Sequence, residues 1–329
     1  MRVLRNLTLA AFALLAGCSP KPEAAQAPGA PVTIRFATDW RAQAEHGGFY
    51  QALASGEYAR RGLDVKIVQG GPGVNVPQLL ASGAVELGMG SNSFIVMNLA
   101  NEGVPVKAVA AYMQKDPQVL IAHPDTGVER IADLKGHPIL LSDASVSAFW
   151  VWLKAKYGFS DDQVRKYTFN PAPFLSDKRA AQQGYVTSEP YTIEKQAGLK
   201  AKVFLLADEG YPGYATMVLA SDSLIAKNPA AIRAFVEASA QGWKDYLAGD
   251  GAAADALIRK DNPEMTQDIL DQARAKLKSY KIIAGDAGAP VGSMTDARWK
   301  TFFDLAAAQG VYPKTLDPKT AYTLAFVPK

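Results

Sequence analysis

The first strong pattern in the chain begins at residue 32. Val-Thr-Ile-Arg-Phe-Ala alternates β-rich apolar and polar side chains and predicts a strand over 32–37. Thr38, Asp39 and Trp40 interrupt it, and a helical pattern follows over 45–61, with Gly62 placed to cap its end. The alternation continues with strands over 63–69, 85–89 and 106–113, helices over 76–82 and 94–101, and a turn at Gly70 to Gly73. It then restarts. Strands are expected over 118–123, 138–142, 166–170, 185–188 and 202–206, and helices over 130–134 and 147–157. After a last strand over 214–220 the pattern turns helical, over 230–247, 252–259, 265–280 and 295–308. Strands separated by helices imply right-handed crossovers and mostly parallel sheets. The expected class is α/β, two lobes of sheet flanked by helices, with a helical C-terminal tail.

The segment before residue 32 has a different character. Arg2 and Arg5 open it, residues 7–15 are apolar, and Leu-Ala-Gly-Cys closes it at Cys18. The order resembles a bacterial lipoprotein signal, with 1–17 removed and Cys18 becoming the lipidated first residue. The apolar run is about half the roughly 20 residues a membrane-spanning helix needs. Residues 18–31, rich in Pro and Ala, read as a flexible tether. The body is then expected outside the cytoplasm, periplasmic or at the cell surface, held to a bacterial membrane through the lipid alone.

Composition narrows the chemistry. The chain has 329 residues, 48% apolar and 20% charged, with 35 Lys and Arg against 32 Asp and Glu. Without Arg2 and Arg5 the net charge is +1, so the electrostatic footprint of a nucleic-acid binder is missing. Cys18 is the sole cysteine, which excludes an internal disulfide and a cysteine-rich zinc site. The three histidines, His46, His123 and His137, lie on different predicted elements without ligand spacing. Neither a Gly-x-Ser-x-Gly elbow nor a phosphate loop occurs, and the run Gly71 to Val76 lacks the third glycine of a dinucleotide fingerprint. No metal, no cofactor and no catalytic residue is expected, and binding is favoured over catalysis.

Ligands of open α/β sheets sit beyond the carboxyl ends of the strands. The residues there are Asp39 and Trp40, Ser91 and Asn92, and Gln114, followed in the second half by Asp143, Asn170, Glu189 and Tyr191. Helix capping accounts for several of them equally well. Trp40 has no capping role, and Glu189, followed by Pro190, lies at a helix start where the dipole favours a carboxylate.

Larger motifs run through these positions: Asp39-Trp40, then His46-Gly-Gly-Phe-Tyr-Gln-Ala52, Gly62-Leu-Asp-Val65, Leu79-Leu-Ala-Ser-Gly83 and Val85-Glu-Leu-Gly88. Gly103-Val-Pro-Val106, Ile131-Ala-Asp-Leu-Lys-Gly136 and Gly184-Tyr-Val-Thr-Ser-Glu-Pro190 continue them. From about residue 32 to 250 the chain resembles the periplasmic substrate-binding proteins of ABC importers. The particular likeness is to the group for thiamine pyrimidine precursors, nitrate, sulfonates and taurine, related to fungal pyrimidine-synthesis proteins.

The resemblance implies a two-lobe periplasmic binding protein of type II, a monomer partnered by permease and ATPase subunits. Lobe 1 would be 32–116 with 213–329 and lobe 2 would be 117–212, hinged near 115–118 and 207–214. It carries ligand contact onto Asp39, Trp40, His46 and Glu189. Arg41-Ala-Gln43 departs from the Pro-Asn that pyrimidine-binding members often show there. Trp40, Tyr112, Tyr185 and Tyr191 offer stacking faces, while Glu189, Asp39 and Asn92 accept from ring amino groups. These favour a flat nitrogen heterocycle such as a thiamine pyrimidine precursor. A small anion such as nitrate, taurine or an aliphatic sulfonate is the alternative, for which Arg41 and a nest at Gly70 to Gly73 would serve. The fungal relatives are enzymes with a pyridoxal cofactor and iron, and the sole cysteine here is already assigned to lipid.

Overall fold

The computed structural model describes residues 30–71 and 73–328, so the leader, Cys18 and the tether as far as residue 29 lie outside the described residues. The chain divides after Ala30, and the unit from Pro31 onward carries ten strands in two five-stranded sheets. In chain order the strands are β1 (Val32–Ala37), β2 (Leu63–Val68), β3 (Leu87–Asn92), β4 (Val106–Met113), β5 (Gln118–Ala122), β6 (Ile139–Leu141), β7 (Val164–Lys166), β8 (Ala181–Tyr185), β9 (Lys202–Leu205) and β10 (Ala215–Ser221). The first sheet runs β2-β1-β3-β10-β4 and the second β7-β6-β8-β5-β9.

Each sheet is mixed in the same way. β1 is parallel to β2 and β3, and β10 is antiparallel to both β3 and β4. In the second sheet β6 is parallel to β7 and β8, and β5 is antiparallel to both β8 and β9. One strand in each sheet is therefore reversed, and each is the strand that enters from the other sheet. β4 leads through 114–117 into β5, and β9 leads through 206–214 into β10. The parallel strands come from the helical crossovers expected from the alternation; the reversed one comes from the crossing between lobes.

Differences from the sequence pattern have local causes. The helix expected over 45–61 is a short 3-10 turn, Ala44–His46, then helices Gly47–Ala54 and Glu57–Arg60. Gly56 separates the two helices in the left-handed region at φ +77, where helical geometry cannot continue. The strand expected over 185–188 is displaced to Ala181–Tyr185, and that over 166–170 to Val164–Lys166. The helix expected over 147–157 starts at Phe149 and runs to Tyr157, preceded by a separate short helix Asp143–Val146 that the pattern does not show. Helices Ala172–Ser176 and Asp222–Lys227 carry too few residues for a readable period. The C-terminal helices lie close to where the pattern places them. Among the described residues no helix is long and apolar enough to cross a membrane.

The glycines of His46-Gly-Gly bring helix Gly47–Ala54 against helix Pro229–Ala248 at backbone distance. A Cβ on Gly242 would lie 2.2 Å from the Gly48 carbonyl oxygen, and one on Gly48 would lie 2.1 Å from the Trp243 ring. Phe49 on this helix packs its ring 4.6 Å from that of Phe36 on β1, and Phe36 lies 5.1 Å from Phe235. The aromatic stack clamps the helix to the sheet. The 3-10 turn that precedes it, with Glu45 and His46, is thereby held at the carboxyl end of β1.

Candidate functional site

A cleft of about 310 Å³ lies where the carboxyl ends of β1, β3 and β8 face one another. That volume is within the range of small-molecule pockets. The first sheet contributes Asp39, Trp40, Glu45, His46, Ser91 and Asn92; the second contributes Gln118, Ser142, Gln183, Tyr185, Glu189 and Phe169.

The loop after β1 is tightly built. The Thr38 hydroxyl donates to the Trp40 carbonyl at 2.8 Å and accepts from the Gly70 amide at 3.1 Å. A Cβ on Gly70 would stand 2.3 Å from the Thr38 carbonyl oxygen, so only glycine admits this approach. The Gly70 amide also reaches the Trp40 carbonyl at 3.2 Å, and none of the described residues of Gly70 to Gly73 lines the cleft. Gly70 thus shapes the Trp40 loop. Arg41 points outward, paired with Glu264 at 2.9 Å.

Asp39 is the centre of the first wall. Its Oδ1 lies 3.3 Å from His46 Nε2 and its Oδ2 accepts from the Ser91 hydroxyl. Because a carboxylate only accepts, His46 carries its proton on Nε2 in this pair. The carboxylate, not the imidazole, is the central member, so the three groups do not form a serine-activating relay. They hold Asp39 in one orientation toward the cavity. Asn92 caps the helix Ser93–Asn101, its side chain accepting from the Phe94 amide at 3.0 Å.

On the opposite wall, Glu189 opens the helix Glu189–Ala197 with Pro190 behind it. Its Oε2 accepts from the Tyr185 amide at 2.7 Å. Burial outweighs that bond and pushes the carboxyl up to about 7. Gly184 makes room for it, since a Cβ there would lie 2.8 Å from the Glu189 Cβ. Glu45 is buried, accepts from the Thr187 hydroxyl across the cleft, and is likewise raised by burial. Gln183 accepts from the Ser142 amide at 2.6 Å.

Seven of the expected contact residues thus line the cleft: Asp39, Trp40, His46, Ser91, Asn92, Tyr185 and Glu189. Five do not. Tyr112 is in the core, its hydroxyl donating to the Val236 carbonyl at 2.8 Å and its ring edge-on to Phe49. Gln114 donates to the Ala111 and Ser293 carbonyls at 3.1 and 2.9 Å and lines a separate depression beside the crossovers. Asp143 is exposed and paired with Lys166 at 3.1 Å. Asn170 accepts from the Ala172 amide at 3.0 Å, an ordinary Asx turn just before the helix Ala172–Ser176. Tyr191 faces outward, where its hydroxyl donates to Asp268 at 2.6 Å. Glu45, Gln118, Gln183 and Phe169 were missed. The signal for Gln118 was a polar side chain opening an otherwise apolar strand; Gln183 sits in a Gln-Gln-Gly run that reads as loop, and Glu45 had only its position before the glycine pair.

The electrostatic character of the cleft follows from this inventory. Among the described lining residues, three carboxylates face the cavity, His46 is the one basic side chain, and neither Lys nor Arg contributes. Among the described residues no cluster of His, Cys, Asp and Glu has metal-binding geometry.

Sequence and structure comparisons agree with the architecture. The chain is 28% identical to the riboflavin-binding protein RibY of Chloroflexus aurantiacus, with 100% of this chain and 99% of that protein covered. It is 24% identical to the formylaminopyrimidine-binding protein of Halalkalibacterium halodurans, over 69% of this chain and 70% of that one. The periplasmic aliphatic sulphonate binding protein SsuA of Escherichia coli superposes with a TM-score of 0.62 at 16% identity, over 91% of this chain and 93% of that one. This likeness establishes the two-lobe periplasmic binding protein fold. Residues 43–253, more than half of the sequence, match the family described as NMT1/THI5 like, and the chain belongs to that family.

Proposed function

We propose that the protein is the extracytoplasmic substrate-binding component of an ABC importer, and that it captures a flat nitrogen heterocycle bearing N–H or amino donors. The observation that carries this reading is the lining of the cleft, with the carboxyl groups of Asp39, Glu45 and Glu189 on a cavity that no described Lys or Arg lines. Donor groups on a pyrimidine or a larger ring system satisfy such acceptors, and Trp40 supplies a stacking face. The names of the riboflavin-binding and formylaminopyrimidine-binding relatives support the same ligand class. A sulfonate or nitrate would meet carboxyl oxygens where it needs cations or free amides. The reading is of a binding protein and not an enzyme, supported by the riboflavin-binding and formylaminopyrimidine-binding relatives.

A thermal-shift screen of riboflavin, aminopyrimidines, taurine and nitrate tests it. A heterocycle at about 100 times its Kd is expected to add roughly 2.7 kcal/mol of stability, and taurine or nitrate to add none. Stabilisation by the anions alone overturns the reading. We further propose that the ligand draws lobe 1 (32–116 with 213–329) onto lobe 2 (117–212) about the two crossovers. The radius from solution scattering should shrink in the same titration, and a constant radius at saturation contradicts it.

Lipid attachment at Cys18 is proposed from the basic, apolar and small-residue order that precedes it. Acyl labelling should be lost in Cys18→Ala; persistence of the label refutes the anchor.

A further inference from the structure

Phe169 is the most exposed large apolar side chain among the described residues, at 54%. It also stands at φ +61, in the left-handed region that a residue with a Cβ adopts at a cost. A bulky aromatic that is both strained and exposed satisfies neither the core nor the surface. Its ring instead lies 5.2 Å from that of Trp40, tilted by 39°, and is backed by Tyr167 at 5.3 Å. Tyr167 is itself buried, so the support is fixed. Beyond Phe169, the Ala172 amide donates to the Asn170 side chain and pins the next turn.

Trp40 and Phe169 come from the two halves of the molecule. Trp40 lies three residues beyond β1 in the first sheet, and Phe169 lies three residues beyond β7 in the second. Both line the cleft, and their rings meet across it. A ligand ring held between them would need about 7 Å of separation, two contacts of about 3.5 Å each. At 5.2 Å the rings leave no such space.

We propose that Phe169 is a gate residue. Its ring closes on Trp40 over the bound ligand, so that entry and release require the two rings to part, and it sets ligand residence time. The proposal rests on the ligand-binding reading of the cleft and assigns the residue that governs exchange there. The left-handed backbone at 169 aims the ring across the cleft, so the strain is retained for its position.

Two measurements test the gate, one of which needs no ligand. Of the five tryptophans, Trp150, Trp152, Trp243 and Trp299 are at most 2% exposed, so collisional quenching by acrylamide reports chiefly on Trp40. In the ligand-free protein, Phe169→Asn, which tolerates the left-handed backbone, should raise the quenching constant, and Phe169→Tyr should leave it near wild type. In stopped-flow displacement of riboflavin or an aminopyrimidine, Phe169→Asn should speed release roughly 2- to 10-fold, the scale of one lost aromatic pair, and Phe169→Tyr should restore it. Unchanged quenching in Phe169→Asn, or an unchanged release rate, overturns the gate. If quenching rises but neither probe binds wild type, the ligand class is wrong and the ring contact stands.

Discussion

Glu189→Gln is expected to weaken heterocycle binding roughly 10- to 100-fold at pH 8, the effect of exchanging a charge-assisted hydrogen bond for a neutral one. The substitution preserves shape and still leaves an oxygen for the Tyr185 amide. In the wild-type protein a ligand donor favours the ionised carboxylate, and burial holds that group near pH 7 before ligand arrives. Affinity should therefore climb with pH up to about 7 and level off above it, whereas the Gln variant stays flat. The stability of the ligand-free protein runs the other way. The folded value is raised from 4.5 to about 7, so the folded state binds more protons than the unfolded one across that interval. The contribution from this group is fully present below about 4.5 and is lost as pH rises through 7. Above pH 7, Glu189→Gln should melt higher than wild type while binding more weakly, the opposition expected where a charge is kept buried for function. Calorimetric titration and melting curves between pH 5 and 8 check both signs. A pH-independent affinity in wild type removes Glu189 from the binding reaction.

Arg274→Met is expected to cost about 3–5 kcal/mol of folding stability, because it strands a buried carboxylate. Asp255 is fully buried on helix Ala252–Asp261, and Arg274 Nη1 on helix Gln267–Ser279 donates to its Oδ2 at 2.8 Å. Tyr246 and Gln267 also donate to Asp255, at 3.1 and 2.8 Å, but both are neutral. The guanidinium lies over the Tyr246 ring at 5.3 Å and thus joins three C-terminal helices. The same helix carries Asp268 and Gln272, which reach across to the other half of the molecule. Asp268 accepts from Tyr191 and Lys195, and Gln272 donates to the Thr187 carbonyl at 2.5 Å. Loosening this helix therefore also loosens the seam beside the cleft. At roughly 2–4 °C per kcal/mol, Tm should fall by about 6 °C or more. Replacing both partners, Asp255→Leu with Arg274→Met, should recover much of the loss, since the damage lies in the unpaired charge. A double variant no better than the single one places the cost in packing instead.

The strand and helix order was legible because β-rich stretches such as Val32–Ala37 and Val106–Met113 are bounded by clear breaks. β8 was misplaced because Gln182, Gln183 and Gly184 look like loop residues, yet they pair in register with β5 as a buried strand. Strand ends identified the neighbourhood of the cleft but not which side of the sheet a residue faces. Tyr112 and Glu189 both looked like ligand contacts, and tertiary packing sends the first into the core. Glu45 shows the limit most plainly: nothing local distinguishes a surface glutamate from one that a neighbouring lobe covers through Thr187. Phe169 was hidden because its role depends on a backbone conformation that sequence periodicity does not encode.

The reversed strands make the two halves of the molecule topologically interlocked. β10 fills the slot between β3 and β4, yet it is translated only after the entire second sheet. Until then the first sheet has two inner edges with unpaired backbone groups, the kind of surface that templates aggregation. Neither half can be cut out as a continuous piece of chain and remain a complete sheet. A fragment ending after β9 would lose the central partner of β3 and β4, together with the helix against which Phe49 and Gly48 pack. Maturation of the first lobe thus waits on the last third of the polypeptide, and pairing across so wide a separation is intrinsically slow. The cleft is assembled only when the chain has crossed twice between the sheets, so a partly made protein has no binding site to occupy.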